Sequence, residues 1–379
     1  MKGKITIFQL AVLLFCCRML SSLFGARGLE DFAYGDSLKI HIVSMLLQAL
    51  LLIPAFALNK KYSDDGITAS AFRFTGKAGG TVIGAVYYVY IIFFACVALT
   101  RFGNYMISTV YPDTPFLLIT GCMVLVCAYA ARFGIEAIGR ISLFAALLLT
   151  VEIIAVFFLL AGRFETVWLY SSVAGTGVGN MWFEALIQTA ENSDLVLILL
   201  LLPQTRSVPD SKEYEGENKI KKGTARGKGK VLFYLVAALT CMEAFNFLAR
   251  VVFGNFAGSL PFPTFLLETF SHMTVFKNIN IVHALPWTFI VFVKITIYIT
   301  GANNILRQLL PGKAKTVGAP LTLILITLGV YLTVLNRGSF ATDQTEAMPG
   351  RGFLFYAQVI LVFLLPLFFL IISRRKRKQ

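Results

Sequence analysis

Hydrophobic positions in this chain do not alternate with polar ones; they come in blocks, separated by short polar stretches. The blocks fall near 5–26, 38–58, 80–108, 116–131, 138–161, 181–203, 231–254, 281–301, 318–336 and 353–373. Most approach the ~20 residues that an α-helix needs to cross a bilayer core. A transmembrane β-barrel would instead show alternating segments of ~10 residues. The pattern predicts an all-α polytopic membrane protein of about ten transmembrane helices. The first block follows two lysines, but it carries Arg18 and has no small-residue cleavage site, so it reads as an uncleaved first helix.

The long polar stretch 204–230 divides the blocks into two sets of five, 5–161 and 181–373. Each set opens on a helix interrupted by polar or small residues. In the first these are Arg18 and Ser21-Ser22-Leu23-Phe24-Gly25; in the sixth they are Glu191-Asn192-Ser193-Asp194. Two five-helix halves must have opposite topology, because five is odd. Paired broken helices at matching places predict two inverted repeats, with a small-molecule site at the breaks.

Composition agrees. Hydrophobic residues make up 57% and charged residues 14%, with a mean hydropathy of +0.74. A soluble chain carries roughly a quarter charged residues, so too little polar surface is available to cover a water-soluble globule. The net charge of +14 would fit a nucleic-acid binder, but its distribution does not. Of 34 basic residues, 24 fall in segments on one side, 6 on the other and 4 (Arg18, Arg101, Arg250, Lys294) within spans. Such asymmetry encodes orientation and predicts that both termini and the basic loop 204–230 are cytoplasmic. The six cysteines all lie within spans, with no disulfide or metal-ligand spacing and no sign of a cofactor.

Ionisable residues inside a span cost ~2.5–3.5 kcal/mol at its centre and face protein or water, so they mark candidate chemistry. Glu184, Gln188 and Glu191 share one face of the sixth helix and lead into Asn192, Ser193 and Asp194, whose side chains compete for backbone hydrogen bonds and favour unwinding. Unwound backbone offers groups to a ligand's carboxylate or ammonium; the alternative is that these acids satisfy neighbouring helices. Arg18 has the same two readings, ligand anchor or partner to an acid of the sixth helix. Lys294, mid-span in the eighth helix, reads as a fixed internal cation in place of a bound sodium ion, as a titrating group, or as half of a salt bridge. Glu243, Asn246 and Arg250 share a face of the seventh helix and require partners on other helices. Gly175-Thr176-Gly177-Val178-Gly179 lacks the strand and the lysine of a phosphate loop. The histidines, His41, His272 and His283, stand near outer span ends with no triad-like setting, and an enzyme is not expected.

Several stretches resemble the B subunits of bacterial spore germinant receptors. They are Lys4-Ile5-Thr6-Ile7-Phe8-Gln9-Leu10 leading to Arg18 and Ser21-Ser22, the run Tyr129 to Arg140 (YAARFGIEAIGR), Asp194 ahead of Pro203, Pro263-Thr264, and Trp287 followed by Lys294. The resemblance covers essentially the whole chain. It implies a ten-helix permease fold of the amino acid–polyamine–organocation superfamily in the spore inner membrane. It also implies a nutrient germinant, often an amino acid, and A and C subunits as partners. Ser21, Ser22 and the backbone around 191–194 would hold the ligand, while Arg18, Glu191, Asp194 and Lys294 set the charge balance. The chain departs from the family's pattern in having aspartate where glutamate is usual at 194, and in a longer, more basic loop at 204–230. That loop reads as a docking surface for a partner or for anionic lipid headgroups. Two other readings use the same spans: a proton- or sodium-coupled amino-acid symporter, and a water or ion pore lined by Glu243, Arg250 and Arg101.

Overall fold

The computed structural model describes residues 4–20, 32–62, 66–170, 178–190, 192, 194–205, 229–258, 260, 262–271, 280–311, 319–335 and 351–375. Seven helical segments are long and apolar enough to cross a membrane: Tyr34–Lys61, Ile67–Thr109, Phe116–Phe133, Ile135–Arg163, Lys230–Gly258, His283–Leu309 and Phe353–Ser373. A bent pair, Asn180–Thr189 and Asp194–Gln204, meets at 41°, and two shorter apolar helices are Ile7–Met19 and Pro320–Leu332. These match the expected set of about ten. The protein is a multi-pass membrane protein.

Local chemistry sets the ends and bends. Helix α1 (Ile7–Met19) opens on a capping box: Gln9 N–H donates to Thr6 Oγ1 at 3.1 Å, and Thr6 N–H donates to Gln9 Oε1 at 2.9 Å. A backbone bond from Ile5 N–H to the Gln204 carbonyl (3.3 Å) ties this start to the end of the sixth span. The second span comprises α2 (Tyr34–Leu51) and α3 (Ile53–Lys61), with Pro54 at the junction. The third span is longer than its apolar block. Helix α4 runs Ile67–Thr109, absorbing residues expected to be a loop, and bends at Gly76, whose φ of 75° a side chain would strain. Next come α5 (Phe116–Ala130) and α6 (Ile135–Leu160), separated by Gly134 at φ 84°.

The sixth span is α7 (Val178–Ala190) and α8 (Asp194–Leu201), followed by α9 (Phe233–Phe253), the short α10 (Pro263–Ser271), α11 (Asn280–Leu309) and α12 (Ala319–Leu335). The last span is α13 (Arg351–Gln358), a π-helical turn (Val359–Leu364) and α14 (Leu365–Arg375). Pro366 explains the turn. Leu365 N–H bonds back to the Ile360 carbonyl, so Leu361 would need residue 366 as its donor, and a proline has no N–H to give. The Tyr87 hydroxyl supplies that bond from α4, at 2.6 Å.

Burial distinguishes centre from rim. About four-fifths of the α11 span (78%) is buried, against 22% for Phe116–Phe133 and 28% for Ile135–Arg163. Every residue of α8 is buried. The rim helices instead turn Leu125, Val151, Ile154 and Phe158 outward, an apolar exterior suited to lipid. In lipid, helices associate through close packing, and Gly84 of α4 lies so near Leu309 of α11 that a Cβ would meet it at 2.8 Å.

Candidate functional site

The break in the sixth span places Asp194 at the first position of α8, where the helix dipole favours a carboxylate, and faces it with Arg18 in the last turn of α1, where the dipole favours a cation. Arg18 Nη1 donates to Asp194 Oδ2 at 3.2 Å and approaches Oδ1 at 3.5 Å. Tyr234 of α9 donates its hydroxyl to the same Oδ2 at 2.6 Å. All three residues are buried. Lys294 projects from α11 into the field of this pair, and Arg101 acts on it from α4. Lys294 is 9% exposed, and among the described residues it makes no hydrogen bond or ion pair. The cluster thus sets several cations around one carboxylate. Such a centre is suited to an added carboxylate.

The backbone at the break is less open than its sequence implies. Gln358, the last residue of α13, is fully buried and donates to the carbonyls of Thr189 (3.1 Å) and Asn192 (3.0 Å). Tyr90 of α4 donates to Gln358 Oε1 at 3.4 Å, fixing which end of the amide faces the break. Asn192 Nδ2 turns back to the Gln188 carbonyl at 2.5 Å. The Asn192 carbonyl, expected to be available to a ligand, and the Thr189 carbonyl beside it are therefore already engaged by the protein, each accepting this amide as well as a backbone N–H at 3.4 Å. Ser44 and Gln48 of α2 continue the polar path, with Ser44 Oγ 3.0 Å from Thr189 Oγ1 and Gln48 Nε2 2.9 Å from Ser44.

The other sequence-marked residues go elsewhere. Ser21, Ser22, Glu191 and Ser193 lie outside the described residues, as does most of the loop 204–230. Glu184 is half-buried on α7, ahead of the break. Glu243 pairs with His41 of α2, and Asn246 Nδ2 reaches the same Glu243 oxygen at 3.5 Å. Arg250 donates to the carbonyls of Trp168 and Phe32, both at 3.2 Å, so it ties loop backbone to α9. His283 is no bystander either: it lies against Glu152, a mid-span acid that the sequence reading passed over although the same cost rule marks it. Tyr234, Tyr90 and Gln358 were also missed. A lone glutamine in an apolar run was the available signal for the last.

The chain matches the family model described as "Spore germination protein" over residues 4–212, more than half its length. It belongs to that family. Spore germination protein KB of Bacillus subtilis (strain 168) is 28% identical over 199 residues. That match covers 48% of this chain and 53% of the relative, so the alignment spans about half the length of the relative. Among solved structures, the chain resembles Mhp1, a nucleobase-cation-symport-1 family transporter in a closed conformation with bromovinylhydantoin bound (TM-score 0.63, 14% identity, 99% of this chain and 94% of that one). It also resembles a Na+-coupled sialic acid symporter (TM-score 0.59, 12% identity, 96% and 80%). A third is the Eremococcus coleocola manganese transporter (TM-score 0.57, 14% identity, 96% and 76%). At these identities the likeness speaks for the fold. This member of the spore germination family has a secondary-transporter fold with a broken sixth span, a permease-like membrane protein in architecture.

Proposed function

We propose that this protein is the B subunit of a spore germinant receptor, and that it binds an amino acid where α1 meets the α7–α8 break. One observation carries the reading: Lys294 is buried beside the Arg18–Asp194 pair with no ion-pair partner among the described residues. A buried ammonium left unpaired is costly, and the carboxylate of an amino acid would neutralise it. Asp194, already held by Arg18 and Tyr234, sets the other side of the charge balance. Ser21, Ser22, Glu191 and Ser193 enter by their place in sequence, flanking Arg18 and Asp194. Signalling requires that the ligand bind one of two conformations more tightly, and a transporter-like fold supplies alternatives to choose between.

In this reading the protein resides in the spore inner membrane with both termini cytoplasmic and assembles with A and C subunits. The basic loop 204–230 serves as a docking face towards a partner or anionic headgroups. The same pocket would serve a cation-coupled amino-acid symporter.

The test is a melting-temperature screen of common amino acids against the purified chain in nanodiscs, with Asp194→Ala and Ser22→Ala alongside. A ligand at a hundred times its Kd stabilises by about 2.7 kcal/mol. We expect one amino acid to raise the wild-type melting point and to leave each variant at its own unliganded value. No shift with any candidate, in protein shown to be folded, would sink the reading. Uptake of the same labelled amino acid into proteoliposomes would convert it to the symporter.

A further inference from the structure

A second set of ionisable groups is buried well apart in sequence from the Arg18–Asp194 pair, where three elements meet. Glu152 comes from α6, Glu268 from α10 and His283 from α11. His283 Nδ1 lies 2.7 Å from Glu152 Oε1 and 3.2 Å from Glu268 Oε1. Trp287, one turn along α11, donates its indole N–H to the same Glu152 oxygen at 3.0 Å. His283 is fully buried and each glutamate is 6% exposed. The three offer one nitrogen and two oxygen donors, all within 4.8 Å of one another.

Two features argue that the set is built for more than its own hydrogen bonds. First, polar capacity is left over. Glu152 Oε2, His283 Nε2 and the buried Tyr105 hydroxyl have no hydrogen-bond partner among the described residues. The Tyr105 ring packs edge-on against His283 at 6.1 Å, and both carboxylates act on its hydroxyl. Second, two acidic side chains converge on one histidine, and the two acids also act on one another. A cation among them would relieve the repulsion of like charges brought together in a buried site.

We propose that Glu152, Glu268 and His283 form a site for one divalent transition-metal ion. The ion takes the place of the imidazole proton, which leaves to solvent, so that a dication balances two carboxylates around a neutral histidine. The mixed N/O set selects manganese, iron, cobalt or zinc over magnesium and calcium, which prefer oxygen alone. Tetrahedral bonds of ~2.0–2.1 Å place donors about 3.3 Å apart. The Glu268 edge is already near that value, and the Glu152 edge must open by roughly half an ångström. A bound ion would bolt α10, which bridges the seventh and eighth spans, to both α6 and α11.

Cobalt(II) is the probe, added to the full chain in detergent with any affinity tag removed. We expect saturable uptake of one equivalent, a visible ligand-field band and a higher melting temperature. All three should be lost in Glu152→Gln, Glu268→Gln and His283→Asn, and kept in His41→Asn, which alters the other buried histidine–carboxylate pair. Should those variants fold poorly, the wild type still decides. Cobalt should quench Trp287 emission, and Trp287→Phe should remove that quenching. No saturable uptake by folded wild-type chain overturns the proposal, leaving a trio that holds protons alone; so does uptake that survives all three substitutions.

Discussion

Arg18 and Asp194 stand 176 residues apart in sequence and meet at 3.2 Å, each nearly sealed from solvent. Their bond joins the end of α1 to the start of α8, the two helix ends that border the proposed ligand site. Water cannot take over for either partner there, so the pair is far stronger as a pair than as its members.

Breaking it from one side should be costly. Removing one partner of a buried ion pair destabilises by about 3–5 kcal/mol, because the other charge is left uncompensated. We expect Asp194→Ala to lower the melting temperature substantially. Tyr234→Phe, which removes one hydrogen bond to a charged group, should lose about 1.5–3 kcal/mol. The double change Arg18→Met with Asp194→Leu should recover much of the Asp194→Ala loss. Thermal melts in nanodiscs of wild type, Arg18→Met, Asp194→Leu and the double variant close the cycle and measure the coupling; strictly additive effects would mean that the pair does not act as a unit.

Gln358 is expected to control the break itself. Its amide adds a shorter bond to two carbonyls that otherwise accept only the long backbone N–H bonds of Asn192 and Leu195, both at 3.4 Å. Gln358→Leu keeps most of the volume and removes both bonds, each worth a net of about 0.5–1.5 kcal/mol. Hydrogen exchange across 186–198 should quicken several-fold in this variant while exchange in α5 and α6 is unchanged. Uniform quickening everywhere would assign Gln358 to global stability instead.

Lys294 yields the opposite sign. Because its ammonium is buried without an ion-pair partner among the described residues, Lys294→Met should melt no lower than wild type in the absence of ligand. The same variant should lose the amino-acid-induced rise. A sharply lower melting point with the ligand response intact would make Lys294 a structural cation.

The sequence carries this architecture plainly because lipid imposes long uninterrupted apolar runs, and the break declares itself because Asn192 and Asp194 interrupt one. Position along a helix is local information. Partnership is not. Arg18 could have answered any acid of the sixth helix, and nothing in its spacing selects Asp194 with Tyr234 as third member. Glu152, Glu268 and His283 show the same limit: the donors come from three elements, so no motif spacing reveals them. Gln358 eluded the hydropathy pattern because one amide hardly lowers the mean of an apolar span. Its role depends on where Pro366 and the π-helical turn set the tenth span against the sixth.

That turn has a mechanical consequence. Tyr87 and Tyr90 sit one helical turn apart on α4, and they grip the last span at Leu361 and Gln358 respectively. Gln358 in turn grasps the broken sixth span. The proline-made gap in one ladder thereby becomes the fulcrum of a lever: a small unwinding beside Asp194 pulls on an amide that is braced against α4. An event at the centre of the bundle would reach its flank through a single side chain, with no need for the intervening helices to melt.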